Sequence, residues 1–207
     1  MRIALLGGSG RIGSEVLDML LADDHEVQAL ARNAASVRPA PGLTVTEGDA
    51  LDPASVAAAV KGADAVVSAL GPRGVKSRGL LAGAAANTVA AMNDDGIRRL
   101  IAVSAAGAFI EADPDTSALI KLILPRVLAK TFADVRQMEN VIRASGLEWT
   151  LVRPTRLVGG QATGRYRTRS DFTPRGGMKI ARAEVAQFVV DALSQHSWIG
   201  ASPALAY

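Results

Sequence analysis

Short apolar runs alternate with longer stretches of helical spacing through most of this chain. Residues 3–6 form a continuous apolar run that ends in glycine. Residues 11–21 repeat apolar side chains at Ile12, Val16, Leu17 and Leu20, the spacing of one helix face. Further strands are predicted at 27–31, 43–46, 65–70, 100–104 and 149–153. Helices are predicted at 53–60, 80–94 and 182–194, with Pro53 at a favourable first helical position. A long helical region after the fifth strand is predicted to be interrupted at Pro125 and to close at Ser145-Gly146, a C-cap signal.

Most of the predicted strands are continuous apolar runs, with 43–46 a β-branched one, so both faces of the sheet are expected to be buried. That pattern, with a helix between successive strands, implies a parallel sheet covered by helices on both sides. The fold class is therefore α/β, a doubly wound parallel sheet. The rhythm breaks after Pro154, where Gly, Arg and Thr dominate up to Gly177. Residues 1–207 are read as one domain, with 1–153 as the core and 154–207 as a small cap on the substrate side.

Composition narrows the chemistry. The 207 residues contain no cysteine and two histidines, His25 and His196, so no metal site is expected. The first apolar run is too short for a secretory signal, and no run approaches the ~18 residues of a membrane span. A cytoplasmic protein with no membrane partner is the expectation. The net charge is +3 and the sequence pI about 9.6. Arg165, Arg167 and Arg169 alternate along what would be one strand face, and Arg175, Lys179 and Arg182 follow. A solvated face or a rim for an anionic substrate accounts for these more simply than nucleic acid, and no nucleic-acid partner is expected.

The chemistry-bearing motif lies between the first strand and the first helix, at Gly7-Gly8-Ser9-Gly10-Arg11-Ile12-Gly13. Glycines permit a tight turn and close approach of the backbone to a pyrophosphate. The free N–H groups of the helix start then face the phosphate oxygens. With a strand before it and a helix after it, this is the dinucleotide-binding element of a Rossmann-type fold. An NAD site usually has an acid at the end of the second strand for the ribose 2′-hydroxyl. Here that strand ends Ala31-Arg32-Asn33, and no acid occurs between Val27 and Thr46. Arg32, with Arg11 as a second cation, suits a 2′-phosphate, so the expected cofactor is NADP(H). Asp49 is read either as a contact to the adenine amino group or as a cap for the helix near Pro53.

The chain resembles the atypical short-chain dehydrogenase/reductase group, the NmrA-like and flavin reductase (biliverdin reductase B type) proteins. The residues that carry the resemblance are Gly7 to Gly13, Ala31-Arg32-Asn33, Gly48-Asp49, Ser68 to Pro72 and Val103-Ser104-Ala105. It continues at 145–150, Val152-Arg153-Pro154, Thr163-Gly164-Arg165-Tyr166, 180–186 and Tyr207. It implies cofactor contacts from Gly7, Gly8, Ser9, Gly10, Arg11, Ile12 and Gly13, and from Arg32, Asn33, Asp49 and Ala50. Leu70, Gly71, Pro72 and Arg73 should lie beside the cofactor. Ser104 should lie near the nicotinamide, with Pro154 and Thr155 closing its far side.

Most short-chain reductases protonate a carbonyl with a Tyr-x-x-x-Lys pair. This chain has only Tyr166 and Tyr207, and the helix that would carry the pair reads Phe132-Ala133-Asp134-Val135-Arg136. The expected activity is therefore NADPH-dependent hydride transfer to a flavin, quinone or similar flat acceptor, with a flavin in the role of substrate. Ser104 is the candidate catalytic polar group; a structural hydroxyl at a strand end is its alternative. Arg73 is read as meeting an anionic acceptor or as a solvent-facing loop residue. The rival function is a non-catalytic NADP(H) sensor that acts through a protein partner. Monomer and dimer both stay open.

Overall fold

The computed structural model describes residues 1–71 and 79–207. Strands β1 (Arg2–Leu6), β2 (Glu26–Ala31), β3 (Leu43–Glu47), β4 (Ala65–Ser68), β5 (Arg99–Val103) and β6 (Glu148–Pro154) run parallel. Strands β7 (Arg156–Val158) and β9 (Lys179–Ala181) pair by themselves. β8 (Arg167–Ser170) and β10 (Pro203–Ala206) extend the main sheet. The order is β3-β2-β1-β4-β5-β6-β10-β8, with only the edge strand β8 antiparallel. The order reverses between β1 and β4, and that switch point opens a crevice at the carboxyl ends of the strands.

Helices α1 (Gly13–Ala22) and α6 (Arg182–Ser194) cover one face. Val16, Leu17 and Leu20 of α1 and Val185, Phe188 and Val189 of α6 pack there on Ile3, Leu5 and Ile101. Helices α2 (Pro53–Val60), α3 (Leu80–Asp94) and α5 (Ala129–Arg143) cover the other, closing over Ala4, Leu6, Leu100 and Leu151. The central strands β1, β4, β5 and β6 are largely buried because they separate two apolar layers, whereas β3, at the sheet edge, has no buried residue.

Three local expectations change. The helical region is not interrupted at Pro125; α4 (Ala118–Val127) runs through it and ends two residues later. Pro removes one N–H, but the next turn still closes through Leu128 N to Leu124 O at 3.1 Å. Pro154 does not stop β6 but lies inside it, paired with Leu205 in β10, where its missing N–H is tolerated. The stretch after Pro154 also supplies two strands of the main sheet and one of its covering helices. Its strands are short and rich in small or charged residues, which hides them from an apolar-run reading. Among the described residues, no helix is long and apolar enough to cross a membrane.

Candidate active site

The glycine loop turns at the carboxyl end of β1. Gly7 has φ +89, and a Cβ there would sit 2.8 Å from the Ala69 carbonyl, so the loop presses backbone to backbone on the end of β4. Gly10 N donates to Gly7 O at 2.8 Å, and a Cβ on Gly13 would lie 2.0 Å from that same oxygen. Glycine at 7 and 13 is therefore a geometric requirement of the turn. Ile12, at the start of α1, makes no side-chain cap, so the helix opens towards the crevice with bare backbone.

A cavity of about 300 Å³ lies over this loop. Gly7, Ser9, Gly10, Arg32, Asp49, Ala50, Leu70 and Gly71 line it, with Ala31, Leu51, Ala69 and Leu80 among its apolar walls. Gly8, Ile12 and Gly13 are buried beneath it and shape the turn. Arg11 and Arg32 are exposed, and neither forms a salt bridge among the described residues. Asn33 does not line the cavity; its amide oxygen accepts from Ala35 N at 2.9 Å, which ties down the turn after β2. Glu47 accepts from Ala34 N at 3.0 Å and clamps that turn to β3. Asp49 accepts from Leu51 N at 2.9 Å in a local turn and faces the cavity; the cap of α2 is Asp52, which accepts from Ser55 N. Pro72 and Arg73 lie outside the described residues. Pro154 and Thr155 stitch β6 to β10, Thr155 Oγ1 donating to Leu205 O at 3.0 Å, and they do not line the cavity.

Ser104 follows β5 and is nearly buried. Its hydroxyl donates to Oε1 of Glu139 at 2.5 Å, so its partner is a carboxylate and not backbone. Glu139 lies in α5 and is 1% exposed. Arg153 in β6 grips it with both ends of its guanidinium, Nε to Oε1 at 2.9 Å and Nη2 to Oε2 at 2.6 Å. Arg153 also donates to Asp171 O and stacks on Phe109, with its guanidinium carbon 3.6 Å from the ring centroid. This closed chain from Ser104 to Arg153 was not anticipated from sequence. Glu139 carries no local signal; only the doubly wound fold brings it between the ends of β5 and β6.

The helix read from sequence as the one that would carry a Tyr-x-x-x-Lys pair has structural duties. Phe132 packs on Gly107, where a Cβ would meet its ring at 2.8 Å. Arg136 donates to Ala108 O. Between them Asp134 accepts from the N–H groups of Leu81 and Ala82, each at 3.1 Å, and caps α3 from across the helix interface. Tyr166 packs edge-on against Phe188, and burial, reinforced by Asp191 and Glu184, pushes its phenol up to about 12. That is the wrong direction for an acid working near neutrality. Three arginines of the C-terminal stretch are also engaged within the chain. Arg167 donates to the Arg175 and Tyr207 carbonyls, and Arg169 and Arg175 both bind Asp115. They do not form a free cationic face along β8. Among the described residues, no group of three His, Asp or Glu side chains comes together to hold a metal ion.

The parallel sheet, the reversal of strand order and the glycine cradle define a Rossmann-type dinucleotide-binding protein. Residues 7–196 match the NAD(P)H-binding family, and the chain belongs to it. The chain is 30% identical over 203 residues to the uncharacterized sugar epimerase YhfK of Bacillus subtilis, covering 94% of this chain and 89% of that one. It is 30% identical over 156 residues to an NAD(P)H azoreductase of Xenophilus azovorans, covering 73% of this chain and 47% of the azoreductase. Among solved structures, a wide-type short-chain dehydrogenase/reductase from Veillonella parvula in complex with NADP superposes with a TM-score of 0.82 at 25% identity, covering 100% of this chain and 94% of that one. The resemblance to atypical short-chain dehydrogenases/reductases read from the sequence holds.

Proposed function

We propose that this protein is an NADPH-dependent reductase that passes hydride to a flavin, a quinone or a similar flat acceptor. The observation that carries the reading is the bond from Ser104 to Glu139. The Ser104 hydroxyl donates to the buried Glu139 carboxyl group, which Arg153 grips through two further hydrogen bonds. Ser104 therefore offers lone pairs to whatever lies beside it and does not donate a proton. Phe132 and Arg136 stand in the helix read as the carrier of the usual acid pair, and the Tyr166 phenol is pushed up. An acceptor that draws its proton from water suits this set; a ketone that needs a protein acid does not.

The residues present fit a dinucleotide: the turn closes only without side chains at Gly7 and Gly13, and it leaves Gly7, Ser9 and Gly10 lining the cavity. Gly7, Ser9 and Gly10 would hold the pyrophosphate with backbone N–H groups, and Arg32 and Arg11 the 2′-phosphate. Asp49 and Ala50 would border the adenosine, with Leu70 and Gly71 along the opposite wall. Bound NADPH supplies the hydride. The azoreductase relative, whose name indicates reduction of another flat conjugated system, supports the same class of acceptor.

The test follows NADPH absorbance with purified protein, with and without FMN, FAD and a small quinone, and with NADH alongside. Oxidation that requires an acceptor and runs faster with NADPH is the expected result. Tight NADPH binding with no turnover on any acceptor would overturn the reductase and leave the sensor.

A further inference from the structure

Helix α4 and the residue after it carry seven bulky apolar side chains, of which only Leu124 packs against the core and the other six are exposed. Leu119 is 65% exposed and Val127 73%, with Leu122 and Ile123 also largely open. A helix normally hides such a stripe against its own core. Here α4 rests mainly on 106–109 and on the start of α5, and its outer side faces away from the protein. Patches of this kind mark contact surfaces.

Charge identifies the contact. Lys121, Arg126 and Lys130 lie among these apolar residues, and no acid occurs from 116 to 133. The nearest carboxylates are occupied internally. Glu111 faces Arg136, Asp115 holds Arg169 and Arg175, Asp113 accepts from Thr173 N, and Asp134 caps α3. A second copy laid on this ridge would bring like charges together with no carboxylate to separate them. A convex ridge of aliphatic side chains with three cations needs no matching groove if its partner is a bilayer. Apolar residues enter the headgroup boundary while lysine and arginine reach the phosphates.

We propose that α4 and the first turn of α5 dock this protein onto anionic lipid surfaces. The helix lies on the bilayer and does not cross it, so the proposal is compatible with the lack of a spanning helix among the described residues. It stands independently of the reductase reading.

The experiment is co-sedimentation of the full chain with vesicles of phosphatidylcholine alone and of phosphatidylcholine with phosphatidylglycerol. Pelleting with the anionic vesicles only, reversed by high salt, is expected. The triple change Lys121→Gln, Arg126→Gln and Lys130→Gln should lower partitioning on the order of a hundredfold. Leu119→Ser with Ile123→Ser should abolish it while leaving the melting temperature and NADPH binding unchanged, since both positions are exposed. Absence of pelleting, or equal pelleting with both vesicles, overturns the proposal. So does a dimer in sedimentation velocity that the serine changes dissolve, which would assign the ridge to a second copy.

Discussion

The glycine loop and the Ser104–Glu139–Arg153 cluster sit at the carboxyl ends of strands of the same sheet but are built from opposite materials. The loop is backbone: its shape depends on the absence of side chains at Gly7 and Gly13, and its donors are N–H groups. The cluster is side chain: Ser104 just after β5, Glu139 in α5 and Arg153 in β6 close a polar circuit inside an apolar core. A backbone site tolerates no added atom but loses little when a distant residue changes. A buried ionic circuit fails when any member is removed, because the partner left behind is a stranded charge. The two therefore respond differently to mutation, and the following changes test that difference in order of expected size.

Glu139→Ala should have the largest effect. It leaves the buried Arg153 guanidinium with only the 3.9 Å contact to the exposed Asp171 carboxylate for countercharge, at a cost of about 3–5 kcal/mol in denaturant unfolding. Replacing Glu139 and Arg153 together, by Leu and Met, should recover most of that loss, since no lone charge then remains. Loss of less than 1 kcal/mol in the single variant would mean that the pair is not an anchor of the fold.

Gly13→Ala comes next. Its Cβ would collide with the Gly7 carbonyl, which must move, and overpacking of this kind costs about 1–3 kcal/mol. The distinguishing result is that NADPH affinity, read by fluorescence titration, falls by more than the stability loss explains. Glu139→Ala, measured where it remains folded, should leave that affinity nearly intact. Equal effects of both variants on NADPH binding would erase the division between the two regions.

Arg32→Asp acts on the rim of the loop with no structural cost, because Arg32 is exposed. A charge-assisted hydrogen bond contributes about 1.5–3 kcal/mol, so the ratio of NADPH to NADH affinity should drop roughly tenfold to a hundredfold. An unchanged ratio would remove Arg32 from the 2′-phosphate site and turn attention to Arg11.

The contrast also explains what the sequence discloses. The loop is local: seven consecutive residues, flanked by an apolar strand and an apolar helix stripe, carry both its shape and its chemistry. The parallel core is equally legible, because strands buried on both faces must be apolar throughout. The cluster is spread over the end of β5, α5 and β6, and Glu139 resembles any polar residue of an amphipathic helix until the fold places it. Strands β8 and β10 escape for a related reason. β10 reads Pro-Ala-Leu-Ala and β8 Arg-Thr-Arg-Ser, and each is a strand only because β6 and then β10 offer it an edge. Tertiary context overrides weak local preference there.

The smallest effect concerns Tyr166, which separates a side chain held by packing from one held for chemistry. Burial lifts its phenol from the ordinary value near 10 to about 12 in the folded protein. The neutral phenol is thus favoured by the fold, and the linked stability is complete below pH ~10 and is lost as pH rises towards ~12. The stability difference between the natural chain and Tyr166→Phe should therefore be constant up to about pH 10 and then shift against the natural chain. The natural chain should show a late phenolate absorbance rise that Tyr166→Phe lacks. A Tyr166 that ionises at or below the ordinary value would instead be open to water and to charge. It would then be eligible as the proton donor that the Ser104–Glu139 bond withholds, and carbonyl acceptors would replace flat ones as the better reading.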